Sequence, residues 1–140
     1  MLPSERSEVS RSALMARVRQ RGTKPELLTG AALRSLGLRY RKNVRGLPGT
    51  PDFANRSAKW AVFVHGCFWH RHPNCKRTTT PKSNIDFWLA KFEANQSRDE
   101  RAEAELRSLG FSVIVIWECE AGTEAASRKL QILEACRVDV

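Results

Sequence analysis

All three histidines of the chain and two of its four cysteines lie within one segment, at positions 65–75. Imidazole and thiolate are ligands that zinc prefers, and a structural zinc is closed by four of them in a tetrahedron. The stretch from Gly66 to Lys82 contains Pro73, Asn74 and Pro81, so it is predicted to be irregular along its own backbone. This segment therefore predicts a fold in which a metal holds a loop against the core.

Four residues are the candidate zinc ligands. Cys67, His72 and Cys75 form a compact group, and Cys119 follows an apolar strand that could bring it across the sheet as the fourth. The alternative is that Cys67 and Cys119 are small buried hydrophobes and the histidines are surface groups. Cys136 is left over and is expected to pack against the domain.

The chain has 140 residues, of which 41% are hydrophobic and 28% charged, as is ordinary for one globular domain. No apolar run approaches the length of a membrane span, and the N-terminus lacks an apolar signal region. We therefore expect a cytoplasmic protein that makes no contact with a membrane. In that compartment the cysteines are better explained by metal ligation than by disulfides.

The apolar pattern predicts an α/β fold, with a mixed β-sheet flanked by helices. Residues 1–22 are predicted to form a basic arm with a short helix at 12–19, and residues 23–140 are predicted to form the single domain. Thr23 and Glu26 suggest a capping box that starts a helix ending at Gly37. The apolar face of that helix is predicted to be Leu27, Leu28, Ala31, Ala32 and Leu36. The remaining predictions are strands at 38–43, 52–54, 59–65 and 111–117, a long helix at 84–109 and a final helix at 123–136.

The formal charge of +9 favours a polyanionic partner, and nucleic acid is the commonest. Between Glu26 and Asp86 the single acidic residue is Asp52. The same stretch carries eleven basic residues: Arg34, Arg39, Arg41, Lys42, Arg45, Arg56, Lys59, Arg71, Lys76, Arg77 and Lys82. The basic surface is thus predicted to lie in the first two thirds of the chain.

Asp52 is well suited to hold Mg²⁺ beside a phosphate, because Mg²⁺ prefers oxygen ligands and a carboxylate among cations stays ionised. The alternative is a turn aspartate that caps its own loop. Phosphodiester cleavage also needs a base for the attacking water. Imidazole titrates near neutral pH, so that base could be His65 or His70.

Four motifs together resemble the very short patch repair (Vsr) endonucleases, which nick DNA beside a thymine–guanine mismatch. They are Leu47-Pro48-Gly49-Thr50-Pro51-Asp52-Phe53, Phe63-Val64-His65-Gly66-Cys67-Phe68-Trp69-His70, Phe87-Trp88-Leu89 and Ile116-Trp117-Glu118-Cys119. They occur in the family's order and spacing, and the resemblance runs from about residue 12 to residue 120. It implies a restriction-endonuclease-like mixed sheet flanked by helices, with a structural zinc site.

The resemblance also implies roles for individual residues. It implies zinc at Cys67, His72, Cys75 and Cys119, and Mg²⁺ held by Asp52 and the backbone carbonyl of Val64, where the family often has threonine. It implies that His70 activates the water with Glu26 close by. His65 and Asp99 would assist the attacking water and the leaving group.

Two aromatic residues, Phe68 and Trp69, stand in a polar, basic loop. The family uses them, with a methionine that matches Met15, as wedges that unstack the mismatch from opposite grooves, at a cost that is lowest at a mismatch. The alternative is that Trp69 packs under the zinc loop and Met15 faces the core. Arg17 and Arg19 of the arm, together with residues 39–45, would neutralise DNA phosphates.

We therefore expect a monomeric, nucleoid-associated, Mg²⁺-dependent endonuclease that nicks one strand of duplex DNA next to a T:G mismatch left by deamination of 5-methylcytosine. Mismatch-repair proteins would be further partners. Two other functions remain open. One is a zinc-stabilised DNA-binding module without catalysis, and the other is a restriction-type nuclease of the same fold that cuts matched DNA.

Overall fold

A computed structural model describes residues 23–136 of the chain, so the predicted arm at 1–22 lies outside the described residues. The helices are α1 (Lys24–Ser35), α2 (Cys67–His70), α3 (Ile85–Ser108) and α4 (Glu124–Gln131), followed by a 3₁₀ helix (Ile132–Cys136). The strands are β1 (Arg41–Lys42), β2 (Phe53–Asn55), β3 (Trp60–His65) and β4 (Ser112–Trp117). The predicted α/β fold with a mixed sheet is confirmed.

The four strands form one sheet in the order β1-β2-β3-β4. The pairs β1–β2 and β2–β3 are antiparallel, whereas β3 and β4 are parallel, with His65 opposite Trp117. The start of β2 and the ends of β3 and β4 therefore meet at one end of the sheet. Within β4 only Ile116 is buried, because β4 is the last strand of the sheet within the described part of the chain.

Side chains of β3 alternate between two core layers, as the period of two in a strand requires. Trp60 and Val62 pack on one face with Leu33 of α1 and Leu130 of α4. On the other face Ala61 and Phe63 pack with Leu47, Ala54 and Leu106 of α3. The sheet is thus covered on both faces by helices that are distant in sequence.

The predicted apolar face of α1 is correct only at Ala32 and Leu36, which pack against the core. Leu27 is 57% exposed and Leu28 is 37% exposed, whereas Thr29, Gly30 and Leu33 are buried. The helix approaches the sheet at Gly30, where a Cβ atom would lie 3.1 Å from the hydroxyl of Tyr40 and 3.3 Å from the ring of Phe53. Glycine permits this close approach, and the approach sets which face is buried.

The predicted capping box of α1 is also absent, because the Thr23 side chain makes no capping hydrogen bond. The predicted long helix is observed as α3, which buries Phe92, Ala102 and Leu106, while Ile85 and Leu89 stay half exposed. The rings of Trp88 and Phe92, in the first turns of α3, contact Phe68 of the short helix α2. None of the helices described between residues 23 and 136 is long and apolar enough to cross a membrane.

The end of the domain agrees with the expectation for Cys136. Helix α4 is capped by Thr123, whose hydroxyl accepts a hydrogen bond from the N–H of Ala126 at 3.3 Å. The predicted helix continues to Cys136, with its last turns in the 3₁₀ form. Cys136 is half-buried against the core, with its Sγ 3.3 Å from Oγ of Ser112.

Candidate active site and metal centre

Asp52 stands at the end of the sheet where β2 starts and β3 ends. Its Oδ2 accepts a hydrogen bond from the backbone N–H of Val64 at 2.7 Å, which fixes the carboxylate against the neighbouring strand. Burial raises the pKa of Asp52 to about 6, and the hydrogen bond from Val64 only partly offsets this effect. A buried carboxyl of this kind would be held ionised by a divalent cation, so Asp52 fits the role of a Mg²⁺ ligand.

Two histidines stack beside Asp52. The rings of His65 and His70 are parallel within 6°, with centroids 3.9 Å apart. Nδ1 of His70 lies 2.5 Å from Oδ2 of Asp99 on α3, a short hydrogen bond that leaves Nε2 of His70 available. Burial lowers the pKa of His65 to about 3, with the charge of His70 adding to this effect, so His65 is neutral near pH 7.

These groups share one cavity of about 340 Å³. Its wall contains all five residues that were predicted to be catalytic: Glu26, Asp52, His65, His70 and Asp99. Glu26 is close enough for its charge to raise the pKa of Asp52 further. Ligand atoms of His65, His70 and Asp99 also lie within 4.8 Å of one another, so this group too could hold a metal ion.

The four predicted zinc ligands also come together. One ligand atom each of Cys67, His72, Cys75 and Cys119 lies within 4.8 Å of the others. Nδ1 of His72 is 3.6 Å from Sγ of Cys67 and 3.5 Å from Sγ of Cys119. A tetrahedral zinc with Zn–S of about 2.3 Å and Zn–N of about 2.0 Å separates sulfur from nitrogen by about 3.5 Å. The donor set and its spacing therefore fit zinc.

The surroundings of these ligands are ordered by hydrogen bonds. The backbone N–H of Cys67 donates to Oε1 of Glu118 at 2.9 Å, and the hydroxyl of Thr78 donates to the carbonyl of His72 at 2.7 Å. Burial raises the pKa of Cys67 to about 12, so this thiol ionises only when a cation replaces its proton. Metal uptake at this cluster would therefore release protons.

Trp117, at the end of β4, touches both sites. Its ring stacks on that of His72 with centroids 4.3 Å apart, and it meets His65 edge to face at 5.4 Å. The backbone adds to this connection, because the N–H of Glu118 donates to the carbonyl of His65 at 2.9 Å. One side chain thus contacts both a residue of the Cys-His cluster and a residue of the catalytic cavity.

Phe68 and Trp69 are half-buried on α2 and belong to an aromatic cluster, which we define as Phe68, Trp69, Trp88 and Phe92. The centroid distances within it run from 5.1 Å between Phe68 and Trp69 to 5.9 Å between Trp88 and Phe92. The guanidinium of Arg71 lies 4.1 Å from the centroid of Phe92. The two predicted wedges therefore rest on α3. The wedge residue Met15 and the arm residues Arg17 and Arg19 lie outside the described residues.

Sequence reasoning missed four residues at this site. Asn95, Arg98 and Glu103 line the catalytic cavity, and Trp88 joins the aromatic cluster. A signal was present in the sequence, because Asn95, Arg98, Asp99, Ala102 and Glu103 repeat at helical spacing and define one face of α3.

A basic cleft of about 400 Å³ lies at the opposite end of β2 from Asp52. Its wall is formed by Arg39, Tyr40, Arg41, Val44, Ala54, Asn55, Arg56 and Ser57. The wall contains no acidic residue, and its three arginines make no ion pair with any residue between 23 and 136. The distance along β2 from Asp52 to Arg56 is about 13 Å at the usual rise of a strand.

Several known proteins are similar to this chain over most of its length. A family model described as DNA mismatch endonuclease Vsr matches residues 6–77. The type II nicking enzyme V.XorIIP of Xanthomonas oryzae is 46% identical over 110 residues, which cover 79% of this chain and 80% of that protein. The type II nicking enzyme V.NmeAIP of Neisseria meningitidis is 45% identical over 119 residues, which cover 85% and 84%. The DNA mismatch endonuclease Vsr of Escherichia coli is 37% identical over 112 residues, which cover 80% and 71%. The chain thus belongs to the DNA mismatch endonuclease Vsr family and is a DNA endonuclease.

Proposed function

We propose that the chain is a Mg²⁺-dependent endonuclease that nicks one strand of duplex DNA beside a T:G mismatch. The observation that carries this proposal is the cavity in which Asp52 lies beside the hydrogen-bonded pair of His70 and Asp99. A binding module without catalysis has no need of such a pair. The motif resemblance and the relative named as a mismatch endonuclease support the choice of a mismatch as the substrate.

In this mechanism Asp99 orients His70 through Nδ1, so that Nε2 can take a proton from the attacking water. The oxygen of that water bonds to phosphorus, and the bond from phosphorus to the leaving ester oxygen breaks. The leaving oxygen takes up a proton from solvent. Bound Mg²⁺, held by Asp52 and the Val64 carbonyl, would supply charge for the phosphate. His65 and Glu26 would orient the water, and the neutral ring of His65 adds no charge there.

Zinc is the metal we propose for Cys67, His72, Cys75 and Cys119, with a structural role. A closed tetrahedral set leaves no position for a substrate oxygen, so zinc at this site would hold the loop that contains α2. That loop positions both His70 and the proposed wedges. Phe68 and Trp69 would enter the stack beside the mismatch, where unstacking costs least, and Met15 of the arm would enter from the other groove.

The substrate proposal predicts a difference between two duplexes. With Mg²⁺ present, we expect nicking of one strand of a duplex with a T:G pair, and a rate lower by about 100-fold or more on the matched T:A duplex, which corresponds to about 2.7 kcal/mol. Each strand should carry a different fluorophore, and the bases that flank the mismatch should be randomised. Denaturing electrophoresis then reports which strand is cut and in which sequence context.

Each alternative has its own outcome in this assay. Tight binding without nicking in any flanking sequence would favour the binding module. Equal cutting of the T:G and T:A duplexes would favour a restriction-type nuclease. Cutting of both strands at the mismatch would contradict the proposed strand specificity but would still support a mismatch endonuclease.

The basic cleft is proposed to bind the DNA backbone away from the nick, since Arg56 lies about 13 Å from Asp52 along β2. Replacing Arg41 and Arg56 together by glutamine should weaken binding and lower the slope of log Kd against log salt by about 1.8, which is 0.9 for each lost phosphate contact. Fluorescence anisotropy over a range of salt concentrations measures this slope. The control is Arg128→Gln, which removes an exposed arginine on α4. An unchanged slope in the double variant would remove the cleft from the DNA path.

A further inference from the structure

One face of α3 forms a wall of the catalytic cavity. It presents Asn95, Arg98, Asp99, Ala102 and Glu103, which are spaced by three or four residues and so lie above one another on the helix. Asp99 already has a role, because it holds Nδ1 of His70. The adjacent residue, Arg98, has no role in the mechanism described above.

The charge of the cavity makes Arg98 notable. Four acidic residues line the cavity, namely Glu26, Asp52, Asp99 and Glu103, and within the described residues the wall has one permanently charged cation, Arg98. Arg98 makes no ion pair with any residue between 23 and 136. Its guanidinium instead donates a short hydrogen bond to Oδ1 of Asn95, a neutral acceptor. Among residues 23–136, the exposed guanidinium thus has a neutral hydrogen-bond partner and no anionic one within ion-pair distance.

A phosphodiester that enters this cavity brings another negative charge to a wall rich in carboxylates. As water attacks, negative charge on the non-bridging oxygens has to be stabilised by groups that are already oriented. A guanidinium suits this task because its planar fork of N–H groups matches two phosphate oxygens and it does not deprotonate. Carboxylates and the neutral ring of His65 cannot supply that charge.

We propose that Arg98 is a further catalytic residue, whose guanidinium binds the non-bridging oxygens of the scissile phosphate and stabilises the transition state. Arg98 transfers no proton, so the bonds made and broken are those already described. The inference rests on the proposed endonuclease mechanism at this cavity. Asn95 acts as a positioning residue, because its Nδ2 also donates to the carbonyl of Trp69 at 3.4 Å and so fixes the amide between the guanidinium and the loop of α2.

The test compares Arg98→Ala with Arg101→Ala on the zinc- and Mg²⁺-loaded protein. Arg101 is an exposed arginine one turn further along α3 and does not line the cavity. With enzyme in saturating excess over the T:G duplex, we expect Arg98→Ala to lower the single-turnover rate by about 10²–10³-fold, the usual loss for one oriented donor. The Kd without divalent cation should change by less than about threefold, since the contact forms mainly in the transition state. Arg101→Ala should match the wild type.

Two further measurements separate a chemical role from a structural one. Guanidinium ion is added at concentrations that leave the wild-type rate unchanged. It should restore part of the nicking rate of Arg98→Ala, whereas it should restore no activity to a variant whose fold is damaged. Arg98→Lys keeps the charge without the fork and should melt like the wild type while it nicks at an intermediate rate. A wild-type rate in both Arg98 variants would overturn the inference.

A third result would overturn it in a different way. Arg98→Ala could bind DNA with a higher Kd and a salt slope smaller by about 0.9, yet keep the saturating rate. Arg98 would then be a contact to the DNA backbone without a catalytic role. The wild-type protein tests the proposed function separately in the same assay. If it nicks matched duplexes equally, the mismatch proposal fails, and Arg98→Ala is then expected to show the same loss on the matched substrate.

Discussion

Replacing Asp52 by asparagine will lower the nicking rate by at least about 1,000-fold, equivalent to about 4 kcal/mol of transition-state stabilisation. Asparagine has nearly the same shape, and its carbonyl oxygen can still accept the hydrogen bond from the N–H of Val64 that Oδ2 accepts in the native chain. The strand start should therefore keep its position while the charged metal ligand is lost. The measurement is the single-turnover rate with Mg²⁺ on the T:G duplex.

DNA binding by the same variant should be equal to or tighter than that of the wild type, because a negative charge leaves a cavity that receives a phosphate. Asp86→Asn is the matched control, since Asp86 is exposed in the first turn of α3 and does not line the cavity. That control should nick at the native rate. An Asp52→Asn variant as active as this control would show that Asp52 is only the turn aspartate of the alternative interpretation.

The second large effect concerns the metal cluster. We expect about one zinc per chain by elemental analysis, since the cluster provides one set of four ligands. Cys119→Ser should lower the free energy of unfolding by at least about 4 kcal/mol and the melting temperature by roughly 10–20 °C, because loss of a structural metal ranks among the most destabilising changes. A strong chelator should reproduce this shift in the wild-type protein.

The position of Cys119 makes this experiment informative. Its side chain is exposed, so the exchange of sulfur for oxygen leaves no buried cavity that could explain a large loss of stability. Cys136→Ser is the control, because Cys136 is half-buried, contacts Ser112 and lies outside the cluster. If both variants melt together and neither contains less zinc than the wild type, the structural zinc is refuted.

Most helices and strands of this fold could be predicted from the sequence, and so could most residues of the candidate site. The central strand β3 is a continuous apolar run, and the motifs around Asp52 and His65 identified residues that the structure brings into one cavity. The zinc set could be proposed because cysteine and histidine are scarce, and Cys119 was placed by the strand before it. These signals depend on residue type and on short spacing along the chain.

The orientation of the helices could not be predicted in the same way. On α1 the leucines suggested one buried face, yet the close approach at Gly30 turned Leu27 and Leu28 outward. On α3 the apolar residues were interpreted, and the polar stripe from Asn95 to Glu103 was missed. The role of that stripe as a cavity wall can be recognised only when β3 and α2 are seen to lie opposite it. Both outcomes are set by tertiary contacts, which override a helix's own pattern when the partner surface is small or polar.

The contacts of the Trp117 ring affect how the activities of cysteine variants of this enzyme should be interpreted. Since this ring stacks on His72 and also meets His65, we expect a disturbance at the Cys-His cluster to reach, by direct contact, an imidazole of the proposed catalytic site. Lost nicking in a cysteine variant is therefore no proof of a chemical role for sulfur. We expect oxidation or alkylation of those cysteines to lower both the nicking rate and the stability of the domain, because it removes the proposed zinc ligands.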